Sequence, residues 1–579
     1  MGENACDDVF SWAARDPARV MFAVRSDGTW QPVTAEEFAS QVASVAAGLI
    51  AAGIMPGDRV GLMSAPSLDW VVCDFAVWAV GAATVPIYET SSKEQVAWEL
   101  NDSGAVAVFA GNAQLADTVH AAQAATVEAV WRLDAGGLDA LANAGRDVTA
   151  GEIARRRNAV TSKTLATVVY TSGATGRPKG CMISHRNLTE AVRAILSVPG
   201  VEDRVLAGDA SSLFFLPLSH VLARVVVLCF VHAGKRSGFL ADPGELPTEL
   251  MAFRPTILLA VPRVLERVVA AARRQAEAEG GQRLFGAAEA AAVAYSRAGG
   301  RAGMWLRLRH AACRPVYARL RKALGGQVAW VISGGAPLSE DLGHFLLGAG
   351  LTVMEGWGLT ETVGPITMNR PAFQRLGSVG LPLPGCAVRT AGDGELEVQG
   401  PDVFQGYLRD PQATTAVFDG RWLRTGDLGR VDDDGYVYVT GRKKELLITA
   451  GGQHVVPSVL EERVREHWLI GECVVAGDRR PYVVALVTLD EDAFARWKRQ
   501  EGRPVSATVG ELCEDPGLRA LVQQALDRAN ATVSRPETIK RFRVLPDQFR
   551  VGAELTSTGK VRRDYVLGKY AEEINALYA

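Results

Sequence analysis

The chain has 579 residues, of which 48% are hydrophobic, enough to form large cores in more than one domain. Its 62 basic and 65 acidic residues give a net charge of −3, which argues against a nucleic-acid partner. The eight cysteines include no Cys-x-x-Cys pair, and the acidic start of the chain lacks the apolar core of a signal peptide. We therefore expect a soluble cytoplasmic protein with buried free thiols and neither disulfides nor structural zinc.

Strand-like and helix-like patterns alternate along the chain up to Gly394. Thr34 and Glu37 have the spacing of a capping box, and apolar residues at helical spacing follow them. The apolar run Trp70–Tyr88 contains an acid, a glycine and a proline, so we expect a buried helix and then a strand, not a membrane span. The clearest further segments are strands 59–63, 83–87, 166–170, 256–261 and 328–332 and a helix over 68–80. This alternation predicts an α/β architecture of parallel sheets covered by helices.

The pattern changes after Gly394. Residues 395–399 and 435–440 alternate with period two, which predicts a small antiparallel sheet. Beyond Arg442 the predicted elements are shorter and the sequence is more charged. We predict a helix over 457–468, strands over 473–476 and 482–489, and a helical tail. We therefore predict two domains, 1–441 and a small α+β domain 442–579, with the boundary near Gly441–Lys444.

The segment Tyr170–Gly180 follows a predicted strand and has the composition of a phosphate-binding loop. Glycines let the backbone approach an anion closely, while hydroxyl groups, amide N–H groups and a lysine donate hydrogen bonds to it. The spacing differs from a Walker A loop, and Gly180 stands where that motif has its magnesium-binding hydroxyl. The candidate nucleotide-binding residues of this loop are Thr171, Ser172, Gly173, Ala174, Thr175, Gly176 and Lys179.

Two further loops follow predicted strands. Gly334 and Gly335 allow close approach to a flat or anionic ligand, although in isolation the pattern favours a helix-capping turn. In the second loop, Thr360 and Glu361 place a hydroxyl beside a carboxylate at the end of a strand, an arrangement suited to holding magnesium against phosphate.

Three single residues have both a functional and a structural interpretation, and Arg442 is a fourth candidate. Asp427, in a turn flanked by glycine, can accept two ribose hydroxyls or can form an Asx turn. Lys560, on a Thr/Gly loop, is either a catalytic cation or a solvated charge. His220, beside an apolar helix, is either a functional imidazole or a capping group, and Arg442 follows a short alternating strand.

Taken together and in this order, the motifs resemble the adenylate-forming superfamily of acyl-CoA synthetases, nonribosomal-peptide adenylation domains and luciferases. The signature loop of that superfamily is Tyr-Thr-Ser-Gly-Thr-Thr-Gly-x-Pro-Lys-Gly, and the chain departs from it at Ala174. The resemblance implies a large ATP- and acyl-binding domain, followed by a small mobile domain that turns about a hinge near Lys444.

The resemblance also implies roles for individual residues. Thr360 would contact the α-phosphate, Glu361 would bind magnesium with Thr171 as a second ligand, and Asp427 and Arg442 would bind ribose. Lys560 would be the catalytic lysine, and His220 would gate the acyl carboxylate. The remaining nucleotide and coenzyme A contacts would come from Gly334, Gly335, Ala336, Pro337, Glu355, Gly356, Trp357, Gly358, Gly451 and Gly452.

A long helical insert between Pro262 and Val328 is similar to that of bacterial long-chain fatty acid–CoA ligases. The resemblance therefore implies ligation of a fatty acid to coenzyme A at the expense of magnesium-ATP. Two alternatives stay open: a fatty acyl-AMP ligase that loads an acyl carrier protein, and a nucleotide- and acyl-binding scaffold without catalysis. The basic run Arg301–Lys322 predicts either peripheral contact with an anionic membrane or a solvated helix packed on the large domain.

Overall fold

The computed structural model describes residues 4–171, 177–556 and 559–579. The chain forms two compact units. The first comprises residues 1–388, 398–424 and 432–437, and the second comprises residues 389–397, 425–431 and 438–579. The predicted domain boundary at Gly441–Lys444 lies near the start of the longest segment of the second unit.

The strands of the described residues are, in chain order, β1 Val20–Ser26, β2 Thr29–Thr34, β3 Arg59–Met63, β4 Ala83–Ile87, β5 Ala107–Ala110, β6 Ala129–Arg132, β7 Leu165–Thr171, β8 Lys179–Ser184, β9 Ser211–Phe214, β10 Arg236–Phe239, β11 Ile257–Leu259, β12 Trp330–Ser333, β13 Thr352–Leu359, β14 Gly364–Met368, β15 Leu381–Pro382, β16 Ala387–Thr390, β17 Glu395–Gln399, β18 Gly406–Tyr407, β19 Phe418–Asp419, β20 Trp422–Val431, β21 Val437–Arg442, β22 Leu447–Ile448, β23 His454–Val455, β24 Ile470–Ala476, β25 Val483–Leu489 and β26 Ile539–Val544.

The α-helices are α1 Asp7–Arg15, α2 Ala35–Ala51, α3 Leu68–Ala79, α4 Lys93–Ser103, α5 Ala113–Ala122, α6 Gly137–Ala144, α7 Ala150–Ala159, α8 His185–Leu196, α9 Val221–His232, α10 Leu246–Phe253, α11 Pro262–Ala278, α12 Gln282–Arg297, α13 Met304–Ala312, α14 Arg314–Ala323, α15 Glu340–Gly348, α16 Pro411–Ala416, α17 Pro457–Arg465, α18 Glu491–Gln500, α19 Val509–Leu512, α20 Pro516–Asn530, α21 Arg563–Lys569 and α22 Ala571–Ala576. Short 3₁₀ turns include Thr360–Thr362 and Lys443–Glu445.

Two mostly parallel sheets organise the first unit. A nine-stranded sheet has the order β15-β14-β13-β12-β11-β9-β10-β1-β2. Its six adjacent strands β13, β12, β11, β9, β10 and β1 run parallel to one another. A seven-stranded sheet has the order β18-β8-β7-β4-β3-β5-β6, with β8 and β18 added antiparallel at one edge. Because helices separate the parallel strands along the chain, the prediction of parallel sheets covered by helices is confirmed.

Local sequence signals set several of these elements. The hydroxyl of Thr34 accepts from the Glu37 N–H while the Glu37 carboxylate accepts from the Thr34 N–H, so the predicted capping box starts α2. The run Trp70–Tyr88 forms the buried helix α3 and the buried strand β4, as predicted. Within the described ranges, no helix has both the length and the apolar character needed to span a bilayer.

Helix α9 lies between the two sheets of the first unit, packing on β10 and β14 of the larger sheet. Its buried Arg224 reaches the smaller sheet, where it donates to the hydroxyls of Thr84 on β4 (2.6 Å) and Thr167 on β7 (2.8 Å). The guanidinium also forms a buried ion pair with Asp74 of α3. This network fixes the start of α9, where His220 is the N-cap residue.

The second unit contains its own core. Strands β24, β25 and β26 form a three-stranded sheet, β22 and β23 form a hairpin, and helices α17 and α20 pack together. Helix α17 ends at Arg465, three residues before the predicted end, because the chain turns there into β24, which begins at Ile470. Short antiparallel strands do follow Gly394, as predicted.

All eight cysteines are free thiols, as predicted. Six are buried, and Cys386 and Cys513 are partly exposed. The described part of the chain also contains no group of three or more His, Cys, Asp or Glu side chains arranged to hold a metal ion.

Candidate active site

The predicted phosphate-binding loop connects two paired strands. Thr171, the last residue of β7, lies opposite Lys179, the first residue of β8. The strands thus bring a hydroxyl residue and a lysine side by side at the base of the loop. The predicted loop residues Ser172, Gly173, Ala174, Thr175 and Gly176 lie outside the described residues.

Helix α4 holds both flanks of this loop. The Tyr170 hydroxyl donates to the Asp102 carboxylate at 2.7 Å, and the Trp98 indole N–H donates to the Pro178 carbonyl at 2.8 Å. The Arg177 guanidinium lies over the Trp98 ring, 4.7 Å from its centroid. Burial, together with the neighbouring Asp102 carboxylate, raises the pKa of Tyr170, so its hydroxyl stays a donor.

The metal-ligand candidate Glu361 is held beside Lys179 by a residue that the sequence analysis did not single out, Tyr407. The Tyr407 hydroxyl donates to a Glu361 carboxylate oxygen at 2.7 Å. The Lys179 ammonium lies 5.0 Å from the centroid of the Tyr407 ring. Burial raises the pKa of Tyr407, and the Glu361 carboxylate raises it further, so the phenol remains protonated.

The backbone explains why these three residues meet. Strand β18 pairs with β8, placing Tyr407 opposite Cys181, two residues after Lys179. The turn Thr360–Thr362 packs against β8, and the Phe404 N–H donates to the Glu361 carbonyl at 2.8 Å. Glu361 and the flank of the phosphate-binding loop therefore occupy the same edge of the seven-stranded sheet, and Thr360 begins the turn that carries Glu361.

The two glycine-containing segments predicted to wall the nucleotide are neighbours. Strands β12 and β13 run parallel, and the Glu355 carboxylate accepts from the Leu338 N–H at 3.1 Å, closing the turn that contains Gly334, Gly335, Ala336 and Pro337. Gly335 has a φ of +80°, and a Cβ on Gly334 would lie 3.0 Å from the Gly356 carbonyl oxygen. A side chain at Gly334 would therefore crowd β13, and the positive φ of Gly335 favours glycine at that position.

The segment Gly356–Gly358 pairs antiparallel with β14. A Cβ on Gly358 would overlap the Gly364 carbonyl, so this position requires glycine. Trp357 is partly buried and packs against the main core of the first unit. These residues thus form a tightly packed wall immediately before Thr360 and Glu361.

His220 caps helix α9, since its ring Nδ1 accepts from the Leu222 N–H at 3.2 Å. This is the structural role considered for it, and the role of gating an acyl carboxylate that the resemblance implies stays a prediction. The imidazole is only partly buried, at the start of a helix whose first turn is fixed by Arg224.

The donor set at Glu361 fits magnesium. Magnesium in phosphate-transfer sites is held by one or two protein oxygens, with the remaining ligands from phosphate and water. Glu361 forms no ion pair within the described residues, and one of its oxygens is oriented by Tyr407. Thr171 supplies a hydroxyl at the end of the strand that pairs with β8.

In the second unit, the two predicted ribose ligands are in contact. The Arg442 Nε lies 2.9 Å from an Asp427 carboxylate oxygen, and the Asp427 side chain is buried while that of Arg442 is half exposed. The Asp427 N–H donates to the Thr425 hydroxyl at 3.0 Å, and Asp427 lies within strand β20, not in the turn that the sequence predicted. The carboxylate is therefore fixed in orientation by a neighbouring cation.

Lys560 belongs to the same unit. Its N–H donates to the Thr556 hydroxyl at 3.0 Å and its carbonyl accepts from the Thr556 N–H at 2.8 Å, which closes the loop around it. Although Lys560 is exposed, desolvation by nearby protein atoms lowers its pKa, and the Arg442 guanidinium lowers it further. The carboxylates of Asp427 and Glu445 act in the opposite direction.

Lys444 lies in the 3₁₀ turn Lys443–Glu445. Its neighbour Lys443 is anchored by Asp393 at 2.6 Å and Glu395 at 2.8 Å, whereas the Lys444 side chain is exposed and makes no ion pair with any described residue.

The two glycines predicted to contact coenzyme A occupy the turn between β22 and β23. Gly451 and Gly452 are exposed, and the φ of Gly452 is +76°. The Gly452 N–H donates to the Thr449 carbonyl at 2.8 Å, and the Ala450 N–H donates to the Arg480 carbonyl at 2.8 Å. The backbone of the turn is therefore held at both ends while its outer side is open.

Comparison with known proteins identifies relatives over the whole chain. The AMP-binding enzyme model matches residues 9–408, and the AMP-binding enzyme C-terminal domain model matches residues 444–579. The chain is 44% identical over 585 aligned residues to the long-chain-fatty-acid–CoA ligase FadD15 of Mycobacterium bovis, covering 100% of this chain and 97% of the relative.

Solved structures share the fold. The anthranilate CoA ligase AuaEII, in complex with anthranoyl-AMP, has a TM-score of 0.74 at 17% identity, covering 98% of this chain and 97% of that chain. A Mycobacterium tuberculosis fatty acyl CoA synthetase has a TM-score of 0.62 at 21% identity, covering 99% of each. The AMP-binding enzyme model alone matches well over half of this chain, so the chain belongs to the AMP-binding enzyme family.

Proposed function

We propose that the protein is an AMP-forming long-chain fatty acid–CoA ligase that uses ATP, magnesium and coenzyme A. The observation that carries the adenylation chemistry is the Tyr407–Glu361 hydrogen bond beside Lys179, at the mouth of the phosphate-binding loop. Support for a long-chain acyl substrate comes from the 44% identity, over the full length, to a relative with that name.

In the first half-reaction, an oxygen of the fatty acid carboxylate attacks the α-phosphorus of ATP, the bond to the β-phosphate breaks, and pyrophosphate leaves. Thr171, Lys179 and the residues between them bind the phosphates. Asp427 and Arg442 bind the ribose. Lys560 offsets the repulsion between the carboxylate and the phosphate, because a positive charge aimed at developing negative charge stabilises a transition state.

Magnesium bound at Glu361 and Thr171 would neutralise phosphate charge. The role of the chain is to orient those oxygens. Tyr407 fixes the Glu361 carboxylate, and the pairing of β7 with β8 fixes Thr171. Such outer contacts matter because a metal ligand that is free to rotate loses affinity.

In the second half-reaction, the thiolate of coenzyme A attacks the acyl carbon of the adenylate. The bond from that carbon to the AMP oxygen breaks, AMP leaves, and the thiol proton passes to solvent. We propose that the small domain turns about Lys444 between the two half-reactions, withdrawing Lys560 and presenting the Gly451–Gly452 turn. Because coenzyme A supplies the attacking thiolate, no protein cysteine is needed, and burial raises the pKa of Cys181 and Cys229, which makes these two thiols poor nucleophiles.

The fatty acid substrate partitions into lipid, so we propose that the enzyme has peripheral access to a membrane. Coenzyme A is the proposed acyl acceptor. An acyl carrier protein is the competing acceptor, but the connection of residues 362–377 is short and has no obvious insertion of the kind associated with carrier-protein loading.

Mass spectrometry of the purified protein with magnesium-ATP and palmitate, with and without coenzyme A, tests the proposal. We expect palmitoyl-CoA and AMP only in the sample with coenzyme A. Palmitoyl-adenylate that persists in the presence of coenzyme A would instead indicate the carrier-protein acceptor. The absence of adenylate from both samples, and from parallel samples with short-chain and aromatic acids, would favour the non-catalytic scaffold.

A further inference from the structure

Helix α13, Met304–Ala312, is docked on the protein by one side only. His310 bonds through a ring nitrogen to the Gly348 carbonyl at 2.7 Å, and its ring stacks on Tyr295 with centroids 4.0 Å apart. No residue of this helix is buried. The opposite side therefore points away from the protein.

That outward side is apolar. Trp305 is 80% exposed, Met304 69% and Leu308 56%, and Ala312 is exposed as well. At 3.6 residues per turn these four side chains fall within an arc of about 100°. Trp305 lies at one edge of this arc, and an exposed apolar surface that includes a tryptophan marks an interaction site.

Arginines border the apolar arc. At helical spacing, Arg307 and Arg309 lie on its two sides, and Arg301 lies three residues before the first residue of the helix. None of these three forms an ion pair with a described residue. Their guanidinium groups are therefore available to an external anion.

The surroundings of α13 are strongly basic. No Asp or Glu occurs between Glu289 and Glu340. The same segment contains eight basic residues, of which Arg297 pairs with Asp341 and Arg319 with Glu279. The other six form no ion pair with a described residue: Arg301, Arg307, Arg309, Arg314, Arg321 and Lys322. A surface with this charge repels a second copy of itself and attracts a negatively charged partner.

We propose that α13 docks in the plane of an anionic lipid bilayer, with Trp305, Leu308 and Met304 in the interface and Arg307 and Arg309 on lipid phosphates. An amphipathic helix with an apolar face, a tryptophan and flanking basic residues binds membranes in this way. The inference rests on the proposed function only in that a lipid-soluble fatty acid makes such contact useful. Docking would bring the enzyme to the phase that contains its substrate.

Flotation of the full-length protein with vesicles tests the proposal. We expect the protein to float with phosphatidylcholine vesicles that contain phosphatidylglycerol, and to float far less with phosphatidylcholine alone or at high salt, because surface attraction is screened by ions. Binding that is equal on neutral and anionic vesicles, or absent from both, would overturn it.

Paired variants assign the binding to α13. Arg307→Gln with Arg309→Gln should weaken partition to anionic vesicles by about 30-fold, the effect of two basic residues near such a surface. Trp305→Gln should weaken it on both vesicle types. The matched controls are Arg499→Gln with Lys540→Gln for charge and Phe373→Gln for an exposed aromatic residue, since these side chains are exposed elsewhere on the chain.

Two further readouts keep this inference separate from the proposed function. The rate of ligation of a water-soluble acyl substrate, measured without vesicles, should be the same in the α13 variants and the wild type. A wild type that is inactive in this assay would count against the proposed function and not against membrane docking. Sedimentation should show one oligomeric state for the wild type and Trp305→Gln. A wild-type dimer that Trp305→Gln dissociates would overturn the membrane proposal in favour of self-association.

Discussion

A single hydrogen bond, from the Tyr407 hydroxyl to Glu361, links the proposed magnesium ligand to the edge strand of the seven-stranded sheet. Replacing Tyr407 by Phe keeps the ring under Lys179 and removes only the hydroxyl. Because partners of metal ligands typically contribute 10–100-fold to metal affinity or activity, we expect the magnesium concentration for half-maximal pyrophosphate release to rise by about 10-fold or more. A magnesium titration of the adenylation half-reaction measures this.

The control for this prediction is Tyr436→Phe. The Tyr436 hydroxyl makes only a long 3.4 Å contact with the Phe373 carbonyl, at the surface of the same unit. Its magnesium titration should match that of the wild type. A Tyr407→Phe curve that superimposes on the wild-type curve would remove Tyr407 from the site.

Lys560 is expected to act through its charge. Lys560→Ala should slow formation of the acyl-adenylate by about 10²–10³-fold, the usual cost of losing a charge-stabilising donor. Thioester formation from supplied acyl-adenylate should stay within a few-fold, because the lysine is withdrawn in that step. Rapid-quench measurement of the two half-reactions separates the effects, with Lys540→Ala, an exposed lysine of the same unit, as the control.

The lowered pKa of Lys560 adds a pH dependence to the same prediction. The protonated form is the active one, so the adenylation rate should fall as the pH rises through a pKa below that of an ordinary lysine. Lys560→Arg retains its charge throughout this range and should shift the alkaline fall to higher pH, whatever its maximal rate. If the adenylation rates of the wild type and of Lys560→Arg fall at the same alkaline pH, a group other than Lys560 causes the fall.

The sequence identified which residues carry chemistry better than how they are held. Thr171, Lys179, Thr360 and Glu361 stand in local motifs that can be read directly from the chain. Tyr407 lies 46 residues from Glu361, and the short strand that carries it shows no distinctive pattern. Its role depends on the pairing of β18 with β8, which no local signal specifies.

At the scale of elements, helix α4 likewise makes contacts that no local sequence signal specifies. Its capping box, Ser92 with Gln95, can be read from the sequence, yet its contacts with both flanks of the phosphate-binding loop span about eighty residues and depend on the fold. Between the residues that make these contacts, Trp98 and Asp102, lies Glu99, which is only 5% exposed. Its carboxyl group is close enough to Tyr88 and Tyr170 to affect their pKa values.

Burial raises the pKa of Glu99 to about 8 from an ordinary value of 4.5. Between these two values the folded protein holds a proton that the unfolded chain releases, so stability should fall as the pH rises from about 4.5 to about 8. Glu99→Gln removes the titration. We expect it to raise the free energy of unfolding near pH 8 by an amount on the order of a few kcal/mol, seen as a higher unfolding temperature, and to change it little near pH 5.

Thermal unfolding at the two pH values measures the difference, and the matched control is Glu94→Gln on the same helix. The Glu94 side chain is 70% exposed, so its replacement should have the same small effect at both pH values. A Glu99→Gln effect that is equal at both pH values would mean that Glu99 is charged in the folded protein.

At the scale of the whole molecule, the change in sequence pattern predicted two domains, because the elements on its two sides differ in length and charge. It could not indicate that residues 389–397 and 425–431 belong to the second compact unit. Those segments are separated along the chain by residues assigned to the first unit, so membership depends on long-range packing. Asp427 belongs to the second unit for this reason, together with Arg442 and Lys560.

The proposed hinge at Lys444 gives the last prediction. Proline fixes φ near −65°, a value that the present 3₁₀ turn accepts but a rotated hinge generally does not. Lys444→Pro should therefore change the ratio of the adenylation rate to the thioester-forming rate by at least about 10-fold, since only one half-reaction retains its domain arrangement. Lys444→Ala, which removes the exposed side chain without restricting the backbone, should leave that ratio within about 2-fold. Equal slowing of both half-reactions by proline would place the hinge elsewhere in the chain.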